Sequence, residues 1–206
     1  MQNQSWPTVY FSQAGPSNTD ETLMLAKERA DALKIRSIVV ASYSGYAGVK
    51  ASQVFKGYNL VVVACVVGFR EPNQTRLTQE SRKAIEQNGG RVVHAAHAFG
   101  TLGRAVNRKF STIQVDEIIA NVLRLFSQGT KVACEICCMA ADAGLIRTDE
   151  EAIGIAGSGS GADTAVVLQP ANTHNFFDMR VKELICKPRS WTSQPPSSPA
   201  TRPPRV

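Results

Sequence analysis

Short apolar runs rich in Val and Ile recur at residues 8–11, 35–41, 59–67 and 91–95, and the intervals between them keep a 3.6-residue apolar rhythm. The runs are continuous rather than alternating, the pattern of strands covered by helices on both faces. Over residues 20–34, Leu23, Ala26, Ala30 and Leu33 fall on one helical face. Asn18 or Thr19 is placed to cap that helix, and Glu21 sits near its positive end. Strands thus alternate with helices, which predicts an α/β class with a mostly parallel sheet.

After residue 100 the rhythm turns helical. In VDEIIANVLRLF, Val115, Ile118, Ile119, Val122, Leu123 and Phe126 form one broad stripe, Gly129 is placed to supply a left-handed exit, and a second helix is expected over 130–143. Two β-like runs follow, EAIGIAG and TAVVLQP, joined by SGSGAD. That link is too short for a parallel crossover, so the pair is expected to be antiparallel. No internal repeat is found.

The chain has 206 residues, room for one ordinary domain and one substantial core. A hydrophobic fraction of 43% with 19% charged residues is that of a globular protein. The longest apolar run, 60–69, is well short of the roughly 20 residues that span a bilayer. The first residues, MQNQSWPTVYF, lack a basic start and an apolar signal core, so a cytoplasmic location without membrane contact is expected.

The net charge of +6 is misleading, because Lys187, Arg189, Arg202 and Arg205 contribute +4 within the last 20 residues, and 6 − 4 leaves +2 for residues 1–186. A nucleic-acid partner is therefore not expected. The same stretch holds six of the ten prolines, so the expected organisation is one domain over 1–188 and a disordered tail over 189–206. Cys134, Cys137 and Cys138 lie in an apolar helical stretch with no second C-x-x-C, and they read as small buried hydrophobes.

In an open parallel sheet, ligands bind beyond the carboxyl ends of the strands. Five loops qualify, 12–19, 42–48, 68–72, 97–104 and 157–163, and two share one character. The 42–48 loop leaves a strand and starts a helix, so backbone amides, the Ser42 and Ser44 hydroxyls and Gly45 make an anion site. The 157–163 loop, GSGSGAD, exposes many amides at little steric cost. Neither has the Gly-Lys-Ser/Thr ending of a nucleotide-hydrolase loop, and Gly157, Gly159 and Ala162 precede a strand, which a dinucleotide fingerprint does not.

These residues carry a resemblance. The Ser-Gly step in ASYSGYAGVKA and the late GIAGSGSGADTAVVLQP resemble the carboxy-terminal α/β domain of pyruvate kinase, whose comparable loops hold the phosphates of a sugar bisphosphate effector. GFREP, RKF, EIIANVLRLFSQGTKVACEI, MAADAGLI and NFFD are similar to a family of stand-alone archaeal and bacterial proteins with that fold, some of which hold flavin mononucleotide (FMN). The resemblance spans about residues 8–188. It implies a three-layer α/β/α fold, a mostly parallel sheet with an antiparallel last strand, and a single pocket shared by the two loops. The catalytic barrel of pyruvate kinase has no counterpart here, so its activity is not implied.

A small phosphorylated ligand, FMN first, is the implied partner. On the first loop the candidate cofactor-binding residues are Ser42, Tyr43, Ser44, Gly45 and Tyr46; on the second they are Gly157, Ser158, Gly159, Ser160 and Gly161, followed by Asp163 and Thr164. Gly68, Phe69 and Arg70 of GFREP, together with His97 and Glu135, complete the set. Tyr43, Tyr46 and Phe69 suit stacking against a flavin ring, and each equally suits plain packing. The alternative function is a phosphometabolite-sensing regulatory module without catalysis, acting through a partner or as a homo-oligomer.

Glu135 and Asp142 are the only charges between Lys131 and Arg147, seven residues apart and on one helix face. Each either serves a ligand or locks neighbouring loops through backbone hydrogen bonds. His97 is the better pocket candidate of the His94/His97 pair, and no third ligand gives them metal spacing. Arg104, Arg108 and Lys109 either steer an anion or form a solvated helix face. Arg70 has Glu71 beside it as an alternative partner. Ser158 and Ser160 lack the flanking glycines and following helix of a nucleophile elbow.

Overall fold

Strands whose successive side chains are all apolar must be covered twice, and here they are. The structure is a computed structural model and describes residues 5–190. Its strands are β1 Val9–Phe11, β2 Ser37–Ser42, β3 Asn59–Ala64, β4 Arg91–His94, β5 Ala152–Ala156, β6 Thr164–Gln169 and β7 Arg180–Pro188. They form one seven-stranded mixed sheet in the order β1-β7-β6-β5-β2-β3-β4. The helices are α1 Thr19–Leu33, α2 Tyr46–Val54, α3 Gln79–Gln87, α4 Leu102–Phe110, α5 Val115–Arg124 and α6 Gln128–Asp142.

Alternate side chains of each strand enter two separate cores. On one face Ile38, Val40, Val62 and Ile155 meet Leu23, Ala26 and Ala30 of α1, Ala47 and Ala51 of α2, and Ile85 of α3. On the other, Val39, Val61 and Val63 meet Ala133, Cys137 and Met139 of α6, with Ala120 of α5 beyond. The result is a three-layer α/β/α arrangement. Among the described residues no helix is long and apolar enough to cross a membrane.

β5 and β6 pair antiparallel, as their short link requires. The chain does not stop there. β7, which sequence reading misses, pairs antiparallel with β6 and parallel with β1, so the reversed strand is the penultimate one rather than the last. The charges in RVKELICKP hide its strand pattern; Glu183, for one, turns toward α1 and takes a two-pronged hydrogen bond from Arg29 at 2.6 and 2.7 Å. Arg189 N–H then closes onto Phe11 O at 2.9 Å. The basic, proline-rich stretch expected after 189 lies, from residue 191, outside the described residues.

Three local expectations need correction. Neither Asn18 nor Thr19 caps α1 through its side chain. Asn18 donates instead to Gln13 O, while Thr19 Oγ1 donates to Pro16 O and accepts the Ala162 N–H. Gly129 is not a left-handed exit; it lies in the first turn of α6, where a Cβ would come within 2.1 Å of Thr164 Oγ1. Finally, the broad stripe of α5 does not all turn inward: Ile119 and Leu123 pack on the core while Val115, Ile118, Val122 and Phe126 stay exposed.

Candidate functional site

β2 and β5 are parallel neighbours, with Val40 level with Ile155. The chain leaving β2 builds α2 on one face, whereas β5 is reached from α6 on the other. Connections therefore part between these two strands, which opens a crevice at their carboxyl ends. The loops leaving those ends are the two glycine-serine loops. Both line one cavity of about 250 Å³.

The first loop is shaped locally. Ser42 Oγ accepts the Gly48 N–H at 3.0 Å, which satisfies one first-turn amide of α2 from inside the fold. Helix geometry leaves the Tyr46 and Ala47 amides without intrahelical acceptors, and both residues line the cavity. Gly45, with φ 104, is packed against α3, where a Cβ would approach Ser81 to 2.4 Å. Its place is thus structural rather than in the cavity wall.

The second loop is shaped from a distance. The fully buried Asp163 accepts from Gly15 N–H at 2.9 Å and Ser158 N–H at 3.1 Å through one oxygen, and from Thr164 Oγ1 at 2.9 Å through the other. Asp163 and Thr164 therefore hold the loop and do not face the cavity. Gly157, Gly159, Ser160 and Gly161 line it. Ser158 does not, and its hydroxyl is buried without a hydrogen-bond partner among the described residues. Gly161 has φ 69 and no room for a Cβ, which would meet Pro16 Cα at 2.6 Å.

Ser42, Tyr43, Ser44, Tyr46, Phe69, His97 and Glu135 line the same cavity. Gly68 and Arg70 do not; Arg70 borders a separate small hollow with Glu71 and Arg76, because the 68–72 turn carries it past the rim. The Phe69 ring centroid lies 5.2 Å from that of His97 and 5.3 Å from the guanidinium carbon of Arg104. Arg104 lines the cavity and Arg108 does not. His94 is turned away, its Nδ1 bonded to Cys65 O at 3.0 Å.

Sequence reading misses Lys131 and Arg124, both in the cavity wall. Lys131 is 4% exposed and ion-paired to Glu135 one helical turn on, and its ammonium lies 5.8 Å from the Phe99 ring centroid. Burial lowers the Lys131 pKa, and the Glu135 carboxylate opposes that. Glu135 also accepts the Phe99 N–H at 3.0 Å. It thus has the locking role, holding the 97–104 loop, and also borders the cavity. Asp142 has only the locking role, accepting from Asn172, Thr173 N–H and Thr173 Oγ1 at 2.6–3.1 Å.

Burial lowers the His97 pKa, and its Nε2 accepts the Val66 N–H at 3.4 Å. Cys134 and Cys138 are buried in α6, where burial pushes their thiols up to about 12, far from the thiolate that chemistry or metal binding needs. Counting Arg104, Arg124 and Lys131 against Glu135, the cavity wall carries 3 − 1 = +2. The wall is thus cationic, with an aromatic margin. No protein-family model matches the chain.

Proposed function

We propose that the protein binds a phosphomonoester, FMN first, in the cavity at the β2–β5 divide, and that its fold is that of the stand-alone pyruvate kinase C-terminal-like family. The observation that carries this reading is the meeting of two glycine-serine loops, over 100 residues apart in sequence, on one cavity with three cations in its wall. A phosphomonoester carries about −1.5 to −2 at neutral pH. The wall's +2 balances one such group and leaves a bisphosphate undercompensated.

The Tyr46 and Ala47 amides and the Ser44 and Ser160 hydroxyls suit the phosphate oxygens, with Arg124 and Lys131 supplying charge. Tyr43, Tyr46 and Phe69 offer aromatic faces to a flavin ring. When bound, FMN supplies electron- or hydride-transfer chemistry that no side chain here provides. The protein's part is to bind and orient it. A metabolite-sensing module is the second reading, since the same cationic cavity suits a phosphorylated ligand that is bound without being transformed.

Titration of the purified chain with FMN and with riboflavin, followed by flavin fluorescence, tests the reading. FMN is expected to bind at least tenfold tighter, since riboflavin lacks the phosphate. Arg124→Gln is expected to remove most of that difference while leaving riboflavin binding unchanged. Equal affinity for the two flavins, or binding of a sugar phosphate alone, overturns FMN as the ligand; no binding of any phosphorylated probe overturns the site.

A further inference from the structure

The outer side of the α4–α5 layer is apolar where a solvated face is expected. Leu102, Phe110, Ile113, Val115, Ile118, Val122, Leu125 and Phe126 are between 49% and 79% exposed. At roughly 100 Å² apiece they present on the order of 800 Å², more than the ~300–600 Å² of the largest patch on a typical monomer. That is about what one partner contributes to a standard protein interface, ~800 Å².

The spacing along α5 points to the occupant. Val115, Ile118, Val122 and Leu125 are separated by three, four and three residues, a sequence of intervals that reads the same in both directions. A two-fold axis level with Ala120 would set Val115 against Leu125 of a second copy and Ile118 against its Val122, each pair apolar. Antiparallel pairing also opposes the macrodipoles of the two helices. The face is therefore complementary to itself, as an isologous interface must be.

We infer that the protein is a homodimer, closed by α5 packing antiparallel on α5 of a second copy, with α4 flanking the contact. The dimer leaves the cavity's ligand unspecified and stands or falls independently of it.

Sedimentation equilibrium of the full chain at micromolar concentrations is expected to give twice the chain mass. Val122→Arg puts an unpaired charge at the centre of the contact and is expected to weaken the dimer by roughly 100-fold, with an unchanged near-ultraviolet circular dichroism spectrum because Val122 supports no core contact. Register is read separately. Oxidising an equal mixture of Ile118→Cys and Val122→Cys chains is expected to give more cross-linked dimer than either alone. A monomeric wild type overturns the proposal, whatever else then binds the face. A dimer that survives Val122→Arg places the interface elsewhere, and cross-linking no better in the mixture than in the single variants overturns the two-fold register.

Discussion

The two loops that meet at the cavity are built in opposite ways. Loop 42–48 is stiffened from within: Ser42 and Gly48, six residues apart, are joined by one hydrogen bond, and the helix that follows fixes the rest. Loop 157–163 has no helix behind it and draws its shape from Asp163, which ties Ser158 five residues back and Gly15 across 148 residues. One loop depends on its neighbours in sequence, the other on the arrival of a distant segment. The first should be robust to single changes, and the second should fail as a unit.

The largest effect is expected at Asp163. Asp163→Ala removes the acceptor of three hydrogen bonds at a fully buried residue and strands the Gly15 and Ser158 backbone donors, leaving the Thr164 hydroxyl with Ser127 Oγ alone. At about 1–3 kcal/mol for each buried unsatisfied group, partly relieved by water, a loss of about 3–5 kcal/mol is expected in urea denaturation. Anion binding at the cavity should go with it. If the variant costs no more than a single hydrogen bond, the distinction between the loops collapses.

Gly161→Ala comes next. The substitution asks an L-residue to hold φ 69 and drives its Cβ to 2.6 Å from Pro16 Cα, a backbone atom that cannot swing aside. Left-handed backbone at about 1–2 kcal/mol and overpacking at about 1–3 kcal/mol together predict a loss of about 2–4 kcal/mol. Gly159→Ala is the control, since it shares a positive φ of 114 but a Cβ there meets nothing within 4 Å. A lower denaturation midpoint for Gly161→Ala than for Gly159→Ala, whose φ of 114 is the less favourable for an L-residue, isolates the contact with the 12–19 loop.

What is legible in the sequence follows the same division. The β2–α2 loop announces itself, because an apolar run, two serines and a glycine before a helix are a local signal. The antiparallel turn after β5 is legible from the length of its link alone. Asp163 reads as a ligand contact because nothing near it names its partners; Gly15 lies far along the chain, and only the closing of the 12–19 loop over β5 brings them together. Lys131 reads as no more than the boundary of an apolar stretch. A signal is nonetheless there: it is the cation four residues before the single acid in the buried heart of that helix, where an unpaired charge is not tolerated. The stripe on α5 is too wide for one contact, and a helical face that includes both Leu123 and Val122 has to divide between the core and an outer surface.

A smaller effect is expected in the local loop. Ser42→Ala removes the acceptor of the Gly48 N–H but leaves α2 and its packing of Ala47 and Ala51 in place. A cost of about 1 kcal/mol is expected, as for other helix caps. Ligand affinity should fall little, because the Tyr46 and Ala47 amides remain where the helix puts them. A loss as large as that of Asp163→Ala would show that loop 42–48, too, is held by a single linchpin.

The smallest effect concerns the wall between the loops, where His97 faces the cavity beside Phe69. Burial lowers its pKa below the usual 6.5, with the Lys131 and Arg104 charges acting in the same direction and Glu135 against them. The unfolded chain therefore takes up a proton first as pH falls below 6.5, and over the window down to the folded pKa it binds more protons than the native state. Stability must fall with pH across that window, by no more than one proton's worth, and level off below it. His97→Gln keeps an acceptor for the Val66 N–H without the titration. Melting temperatures of the two proteins should run parallel above pH 6.5 and separate below it, with the wild type losing more. Separation in the opposite sense would mean that Glu135, rather than burial, dominates the imidazole, and that the wall is held by charge in the way Asp163 holds its loop.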